Sequence, residues 1–309
     1  MSVKILVCDP IDAEGVERLK QEGFSVDIKP EIGRDELIRI VPEYDALVVR
    51  SRTEVTRDII RQGKRLKAIG RAGAGLDNID LQAAKEKQIT ILNTPEASAD
   101  SVAELAIGLM LTLARGINLA DSSMKKGEWL KKELEGFLLK GKTLGMIGLG
   151  NIGMRVARIA REMGMNIVVT KRTPPSPELL ETLKAEFVTL GELLTRSDIV
   201  SVHVPLTHET VKMIGSREIS MMKKGAFLIN TSRGGIVDED ALLDALKSRR
   251  LGGAGLDVYE SEPPKKPELV ELPNVVCTPH IGAQTREAQR AASALTAEKI
   301  IEFFKSTKV

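Results

Sequence analysis

Short apolar runs alternate with amphipathic stretches from one end of the chain to the other. Five runs in the first third, 4–8 (KILVC), 24–28 (FSVDI), 46–49 (ALVV), 66–70 (LKAIG) and 89–92 (ITIL), have the length of strands. Between them the apolar positions follow a helical period. Ala13, Val16 and Leu19 share one face, as do Leu37 and Ile40, then Ile59 and Ile60. A longer helix is predicted from about Ala99 to Ile117. It opens on the capping-box pattern Ser101-Val-Ala-Glu104 and carries Val102, Leu105, Leu109 and Leu113 inward. The segment 118–140 is polar and charged around the single tryptophan, Trp129. A second series of strands is predicted at 143–147, 166–170, 187–190, 198–204, 226–230, 253–258 and 274–278, with a last helix from about Thr285 to Phe304. Strands that alternate with helices argue for parallel sheets, with the helices as crossovers. The expected fold class is therefore α/β, with two doubly wound parallel-sheet domains.

Composition narrows the function. The chain has 309 residues, and its 45 Lys+Arg against 43 Asp+Glu leave a net charge of only +2. No dedicated nucleic-acid surface is expected from that balance. A hydrophobic share of 42% with 28% charged residues describes a folded globular chain rather than a disordered one. The start, MSVKILVCDP, lacks the basic and apolar regions of a secretory leader. No charge-free apolar stretch approaches the roughly 20 residues of a spanning helix, so no membrane partner is expected. The most apolar helical stretch, Leu105 to Ala114, is bounded by Glu104 and Arg115 and reads as a core or interface helix. Cys8 and Cys277 form no CxxC pair, which makes a reducing cytoplasm the expected compartment. No Cys/His cluster or paired acidic spacing points to a metal, and no GxSxG supports an acyl-transfer nucleophile.

The strongest local signal is Gly148-Leu-Gly150-Asn-Ile-Gly153, set between an apolar strand and a helix with Ile152, Val156, Ile159 and Met163 inward. In that context Gly148 makes a tight turn, Gly150 admits a pyrophosphate to the backbone, and Gly153 lets helix and strand close up. The helix N-terminus then faces the phosphate charge. About 20 residues on, where an acidic residue would grip the ribose hydroxyls, stands Thr170-Lys171-Arg172-Thr173. The cationic pair suits the 2′-phosphate of NADP; read instead as a solvated strand end, it leaves NAD use unchanged. The choice between NAD and NADP stays open.

Three residues fall in loops past strand ends of the second series. They are a cation (Arg233 in Asn230-Thr-Ser-Arg-Gly-Gly235), a carboxylate (Glu262 in Asp257-Val-Tyr-Glu-Ser-Glu262) and a base (His280 in Thr278-Pro-His280). Doubly wound sheets keep their ligands at that edge. His203, before Val204-Pro205, is the competing acid–base candidate and otherwise a strand-end histidine satisfied by its neighbours.

Arg71-Ala-Gly-Ala-Gly75-Leu-Asp-Asn-Ile-Asp80, Asn93-Thr-Pro-Glu96, the glycine loop, Ser232-Arg-Gly-Gly-Ile-Val-Asp238, Leu256-Asp-Val-Tyr-Glu-Ser-Glu-Pro-Pro264 and Pro279-His280 follow one another in order. Taken together the chain resembles the D-isomer-specific 2-hydroxyacid dehydrogenases, most closely their phosphoglycerate dehydrogenase branch, over nearly its whole length. The resemblance implies a discontinuous, flavodoxin-like substrate domain (1–97 and 286–309) and a Rossmann nucleotide domain (98–285) that includes a dimerisation helix and arm. A cleft at their junction is implied, with a homodimer that could pair further into a tetramer and Trp129 as an interface anchor. The implied reaction moves a hydride between a nicotinamide dinucleotide and a D-2-hydroxy or 2-oxo acid. Arg233 would clamp the substrate carboxylate, His280 would exchange a proton with the alkoxide, and Glu262 would orient the imidazole.

The resemblance also assigns cofactor contacts to Ala74, Asn151, Ile152, Val204, Pro205, Thr231, Ser232, Asp257, Gly282 and Ala283, beside the three glycines, Lys171 and Arg172. Asp257 would face the nicotinamide amide. Backbone amides of Ala74 and Gly75 would hold the substrate carboxylate. Arg50 and Arg52, in Arg-Ser-Arg-Thr53, either bind a substrate phosphate or are exposed arginines.

Two readings of the substrate follow: 3-phosphoglycerate, at the entry to serine synthesis, or glyoxylate and hydroxypyruvate reduced with NADPH. A third reading, from a different class, is a corepressor-like binding protein that senses the dinucleotide. The intact Arg233, Glu262 and His280 argue against it. Because the chain ends at Val309, just past the closing helix, no C-terminal regulatory domain is expected.

Overall fold

The computed structural model describes residues 2–306. They fall into two compact units, Met1–Ala99 with Ala283–Val309, and Asp100–Gly282.

The discontinuous unit is built on β1 (Lys4–Val7), β2 (Ser25–Ile28), β3 (Ala46–Val49), β4 (Ala68–Arg71) and β5 (Thr90–Asn93). They pair in the order β2-β1-β3-β4-β5, all parallel. Successive side chains alternate between faces. Ile5, Val7, Ala46 and Val48 pack with Val16, Leu19, Ala297 and Ile300 on one side. Leu6, Leu47, Val49 and Ile69 pack with Leu37, Ile59 and Ile60 on the other. A parallel sheet is stable only when both faces are covered, and here both are.

The last helix, Arg286–Ser306, closes this unit by lying against the first one, Ala13–Gln21. Small residues permit the approach. The Ser293 hydroxyl donates to the Asp12 carbonyl at 2.7 Å, and a Cβ on Gly15 would stand 2.5 Å from the Ser293 carbonyl oxygen. The buried face of the first helix is therefore Gly15, Val16 and Leu19, while Ala13 is exposed, one step away from the predicted face. Glycine won that place because the neighbouring backbone comes too close for a methyl group.

The second unit holds β6 (Thr143–Ile147), β7 (Asn166–Thr170), β8 (Ala185–Phe187), β9 (Ile199–Val202), β10 (Phe227–Asn230), β11 (Gly253–Leu256) and β12 (Val275–Cys277). Their order is β12-β11-β10-β9-β6-β7-β8, again all parallel. The chain leaves β6 toward β7 and β8, then returns on the opposite side to β9. That reversal sets the loops after β6 and β9 side by side, the topological switch point at which such sheets bind ligands.

Three local expectations need correction. The strand predicted at 187–190 ends at Phe187, because Thr189 accepts from the Glu192 amide and caps the helix Leu190–Arg196 with a full capping box. Ser101 does not cap the long helix, which runs Ala99–Arg115; it is the third residue, and its hydroxyl donates to the Gly282 carbonyl at 2.6 Å. The polar stretch 118–140 begins with a second helix, Ile117–Lys125, separated from the first by Gly116 in the left-handed region (φ 60°). The long helix itself, with Ala103, Ala106 and Met110 fully buried, belongs to the core of this unit. Among the described residues no single helix is long and apolar enough to cross a membrane.

Gly15→Ala should push the first helix off the last and lower stability by about 1–3 kcal/mol. Denaturant unfolding checks it; an unchanged midpoint would show that the two helices can separate without cost.

Candidate active site

The glycine loop after β6 is shaped by close backbone approaches. Gly148 has φ 97°, and a Cβ there would stand 2.5 Å from the His203 carbonyl oxygen and 2.8 Å from Val204 Cγ1. A Cβ on Gly153 would meet the Gly148 carbonyl oxygen at 2.5 Å, so the helix Asn151–Glu162 packs directly on the loop. Gly150 is different: within 4 Å of its Cβ position there is nothing. It is also the N-cap of that helix and contributes no capping side chain, which leaves the first amides of the helix to an outside acceptor. An open cradle over uncapped amides fits a pyrophosphate. Near the ends of the adjacent strands two buried polar atoms, Thr231 Oγ1 and His203 Nδ1, have no partner among the described residues. The residues present thus fit a dinucleotide. Lys171 and Arg172 follow β7, and Arg172 already lies 3.8 Å from Glu209 across the loop after β9.

The structure brings Glu262 and His280 together. Glu262 Oε2 and His280 Nδ1 are 2.7 Å apart, both side chains about half exposed. Glu262 is reached from the loop after β11 and is steadied by the Tyr259 amide, which donates to Oε1 at 3.3 Å. His280 lies past β12 at φ 52°, a conformation uncommon for a side chain with a Cβ. Asp257 holds it there. This carboxylate is 1% exposed; Oδ1 accepts from Thr278 Oγ1 (2.6 Å) and the Ile281 amide (2.8 Å), and Oδ2 from the Gly282 amide (2.8 Å). Both oxygens are engaged with the loop that carries His280.

Arg233 occupies the loop after β10. Ser232 Oγ donates to Asn230 Oδ1 at 2.7 Å, Asn230 Nδ2 donates to the Arg233 carbonyl at 2.9 Å, and Arg233 Nη1 donates to the Ser232 carbonyl at 2.7 Å. The loop is braced by the next one along: a Cβ on Gly234 would collide with the Tyr259 carbonyl.

His203 takes the other role anticipated for it. Its Nε2 is 2.8 Å from Ser201 Oγ, and burial of the ring pushes its pKa down to about 4. That shift disfavours its protonated form, and among the described residues no carboxylate is paired with it.

In the first unit, Ala74 belongs to a loop pinned where it leaves β4, at Gly73 and Ala74. Asn93 Nδ2 donates to its carbonyl at 2.8 Å, and the Gly73 amide donates to Thr94 Oγ1 at 2.8 Å. Gly75 follows in the same loop. Arg50 and Arg52 frame a buried carboxylate that the sequence reading missed. Asp9 is 1% exposed and accepts from Thr53 Oγ1 (2.6 Å), the Thr53 amide (3.2 Å) and the Arg50 amide. Arg52 Nε lies 3.1 Å from Asp9, and its Nη2 donates to the Cys8 carbonyl at 2.7 Å. The Arg52 fork is thus mostly spent on its own unit. Arg50 donates from Nη1 to the Pro10 carbonyl at 3.3 Å. An acid directly after the run KILVC was the available signal for Asp9.

Residues 107–282 match the family model described as D-isomer specific 2-hydroxyacid dehydrogenase, NAD binding domain. The chain is 49% identical over 302 residues to a hydroxypyruvate reductase of Thermotoga maritima, covering 97% of each. It is 48% identical over 299 residues to a D-3-phosphoglycerate dehydrogenase of Methanocaldococcus jannaschii, covering 96% of this chain but 57% of that relative's length. The solved structure of a glyoxylate reductase from Paecilomyes thermophila superposes with a TM-score of 0.90 at 36% identity, covering 97% of this chain and 94% of that one.

The low pKa of His203 predicts a pH signature. The unfolded ring (about 6.5) takes up a proton before the folded one (about 4), so this histidine costs nothing above about pH 6.5. As the pH falls toward 4 it should remove up to about 3 kcal/mol of stability. His203→Gln should flatten that part of a stability–pH curve; the same acid loss in both proteins would mean that His203 is protonated in the fold.

Proposed function

The chain belongs to the D-isomer-specific 2-hydroxyacid dehydrogenase family, and from that premise we propose that it interconverts a 2-oxo acid and its D-2-hydroxy acid at Arg233, Glu262 and His280. The observation that carries the reading is the 2.7 Å contact between Glu262 and His280, on loops past neighbouring strand ends, with Arg233 on the next loop along. A bound reduced nicotinamide supplies the hydride that the carbonyl carbon accepts. Arg233 offers a planar two-pronged donor to the substrate carboxylate, a task for which Lys is a poor substitute. Glu262 occupies Nδ1 of His280, which leaves Nε2 as the nitrogen that passes a proton to the carbonyl oxygen as it becomes an alkoxide. In the oxidative direction the same nitrogen takes that proton back. A positioned proton transfer of this kind contributes about 10²–10⁴-fold.

For the dinucleotide we propose contacts from Gly148, Gly150, Asn151, Ile152 and Gly153 at the pyrophosphate, and Thr231, Ser232, Val204 and Pro205 beyond it. Asp257, Ala74, Gly282 and Ala283 complete the proposed set. Since Asp257 already holds the loop 278–282, its contribution near the nicotinamide is to fix the backbone there. Lys171 and Arg172 favour acceptance of a 2′-phosphate, while Glu209 beside Arg172 works against it.

For the substrate, the preferred reading is 3-phosphoglycerate and 3-phosphohydroxypyruvate. It is supported by the likeness to the Methanocaldococcus jannaschii enzyme, and on this reading Arg50 and Arg52 would hold the substrate phosphate. The amides of Ala74 and Gly75 would serve the carboxylate. A reductase for hydroxypyruvate or glyoxylate is the second reading. It is favoured by the engagement of Arg52 with Asp9 and Cys8, which removes one of the two arginines from phosphate binding. A second copy of the chain is the proposed partner. Ile117, Leu119, Met124, Trp129 and Leu138 are exposed by 41–74% within one short stretch, and Trp129 is the most exposed of them.

His280→Ala should lower turnover at least about a hundredfold with dinucleotide affinity nearly intact. Unchanged turnover would remove His280 from the chemistry. Arg50→Ala should weaken kcat/KM for phosphohydroxypyruvate by about tenfold or more and leave glyoxylate nearly untouched; equal losses would take the phosphate away from Arg50.

A further inference from the structure

Glu239 is the first residue of the helix Glu239–Lys247, follows the Arg233 loop by six positions and is only 7% exposed. A carboxylate buried so far needs a partner. Its Oε1 accepts from the Glu260 amide at 2.7 Å, and its own amide donates to Glu260 Oε1 at 3.3 Å. The two glutamates therefore clasp each other reciprocally, backbone to side chain in both directions. Other charges face the clasp. Lys266 lies 3.6 Å from Glu260 and 2.6 Å from Asp240; Lys212 lies 3.9 Å from Glu260 and 3.0 Å from Asp238. Two lysines thus offset part of the charge of four acids, Asp238, Glu239, Asp240 and Glu260, and burial raises the Glu239 pKa.

The position of this clasp gives it a consequence. Glu260 directly follows Tyr259, whose carbonyl rests against Gly234 and whose amide donates to Glu262. The stretches 233–239 and 259–262 are thus joined at two points, once at Gly234 and once at Glu239. We propose that Glu239 is a positioning residue: its bond to the Glu260 amide closes this ring and sets the distance of Arg233 from the Glu262–His280 pair. The inference rests on the roles given to those three residues above. Glu239 itself touches none of the reacting atoms.

The test compares Glu239→Ala with Glu239→Gln, since Gln retains an oxygen that can accept from the Glu260 amide. Glu239→Ala should lower kcat by about ten- to a hundredfold, as expected when reacting groups drift by a fraction of an ångström to one ångström. The Kd for NADH should stay within about twofold. Hydrogen exchange at the Glu260 amide should accelerate in the same variant without any ligand. Glu239→Gln should keep kcat within about threefold and keep the amide protected. Native turnover in Glu239→Ala with a fast-exchanging Glu260 amide would overturn the proposal. So would a Glu239→Gln as slow as Glu239→Ala, because charge rather than the bond would then matter. If Glu239→Ala does not fold, Glu239→Asp takes its place, since it keeps the charge and draws the oxygen back from the Glu260 amide: a loss of kcat of about tenfold with a fast-exchanging amide supports the ring, and native kcat with that amide exchanging fast overturns it. His280→Ala is the control. Turnover without His280 would sink the site reading itself, whereas an inactive His280→Ala beside a native Glu239→Ala would sink only this inference.

Discussion

The Asp257 carboxylate stands at the end of β11 almost without solvent, and an unpaired charge there would be costly. Three donors satisfy it, all drawn from the loop after β12: the Thr278 hydroxyl and the amides of Ile281 and Gly282. Those donors can reach it only if the loop doubles back, and the doubling forces His280 into the left-handed region. The imidazole is then delivered to Glu262, which arrives from the same strand as Asp257 by a separate turn. One buried carboxylate thereby fixes the geometry of the half-exposed contact between the His280 imidazole and the Glu262 carboxylate. Tyr259 reinforces the same link, since its hydroxyl donates to the Thr278 carbonyl at 3.0 Å.

The two histidines at strand ends show how environment decides role. His203 is half-buried beside Ser201 and the glycine loop, and desolvation of its ring pushes its pKa down. His280 is exposed and faces a carboxylate. In the sequence both are strand-end histidines followed within two residues by an apolar one, and nothing local separates them. Their difference is tertiary: one strand end is buried under the loop after β6, and the other is open.

The periodic parts of the fold were legible. Eleven of the twelve strands among the described residues fall on the expected apolar runs; strands such as Ala46–Val49 and Gly253–Leu256, buried on both faces, must be apolar along their length. Phe187 to Leu190 misled because a short strand end and a helix cap adjoin there, and Thr189 serves the cap. The helix Ile117–Lys125 was hidden by its polarity. Its apolar residues Ile117, Leu119 and Met124 are exposed in the chain by itself, so no inward stripe marked it. For the candidate site, the residue types and their strand-end placement could be read from motifs. The bonds that hold them could not. Asp9 joins residues 41 and 44 positions away, the Glu239–Glu260 clasp spans 21, and Tyr259 reaches a backbone carbonyl 19 positions on that any residue would provide. The engagement of Arg52 was invisible for the same reason.

The proposed function gives the Arg233, Glu262 and His280 loops the stereospecific reduction of a 2-oxo acid. Its most direct test is the initial rate of reduction of phosphohydroxypyruvate, hydroxypyruvate and glyoxylate, each with NADH and with NADPH, together with the chirality of the product formed from the two chiral cases. Nicotinamide oxidation with at least one of these acids and a product of the D configuration are expected, with the highest kcat/KM for phosphohydroxypyruvate. No turnover with any of the three acids, or an L product, would contradict it.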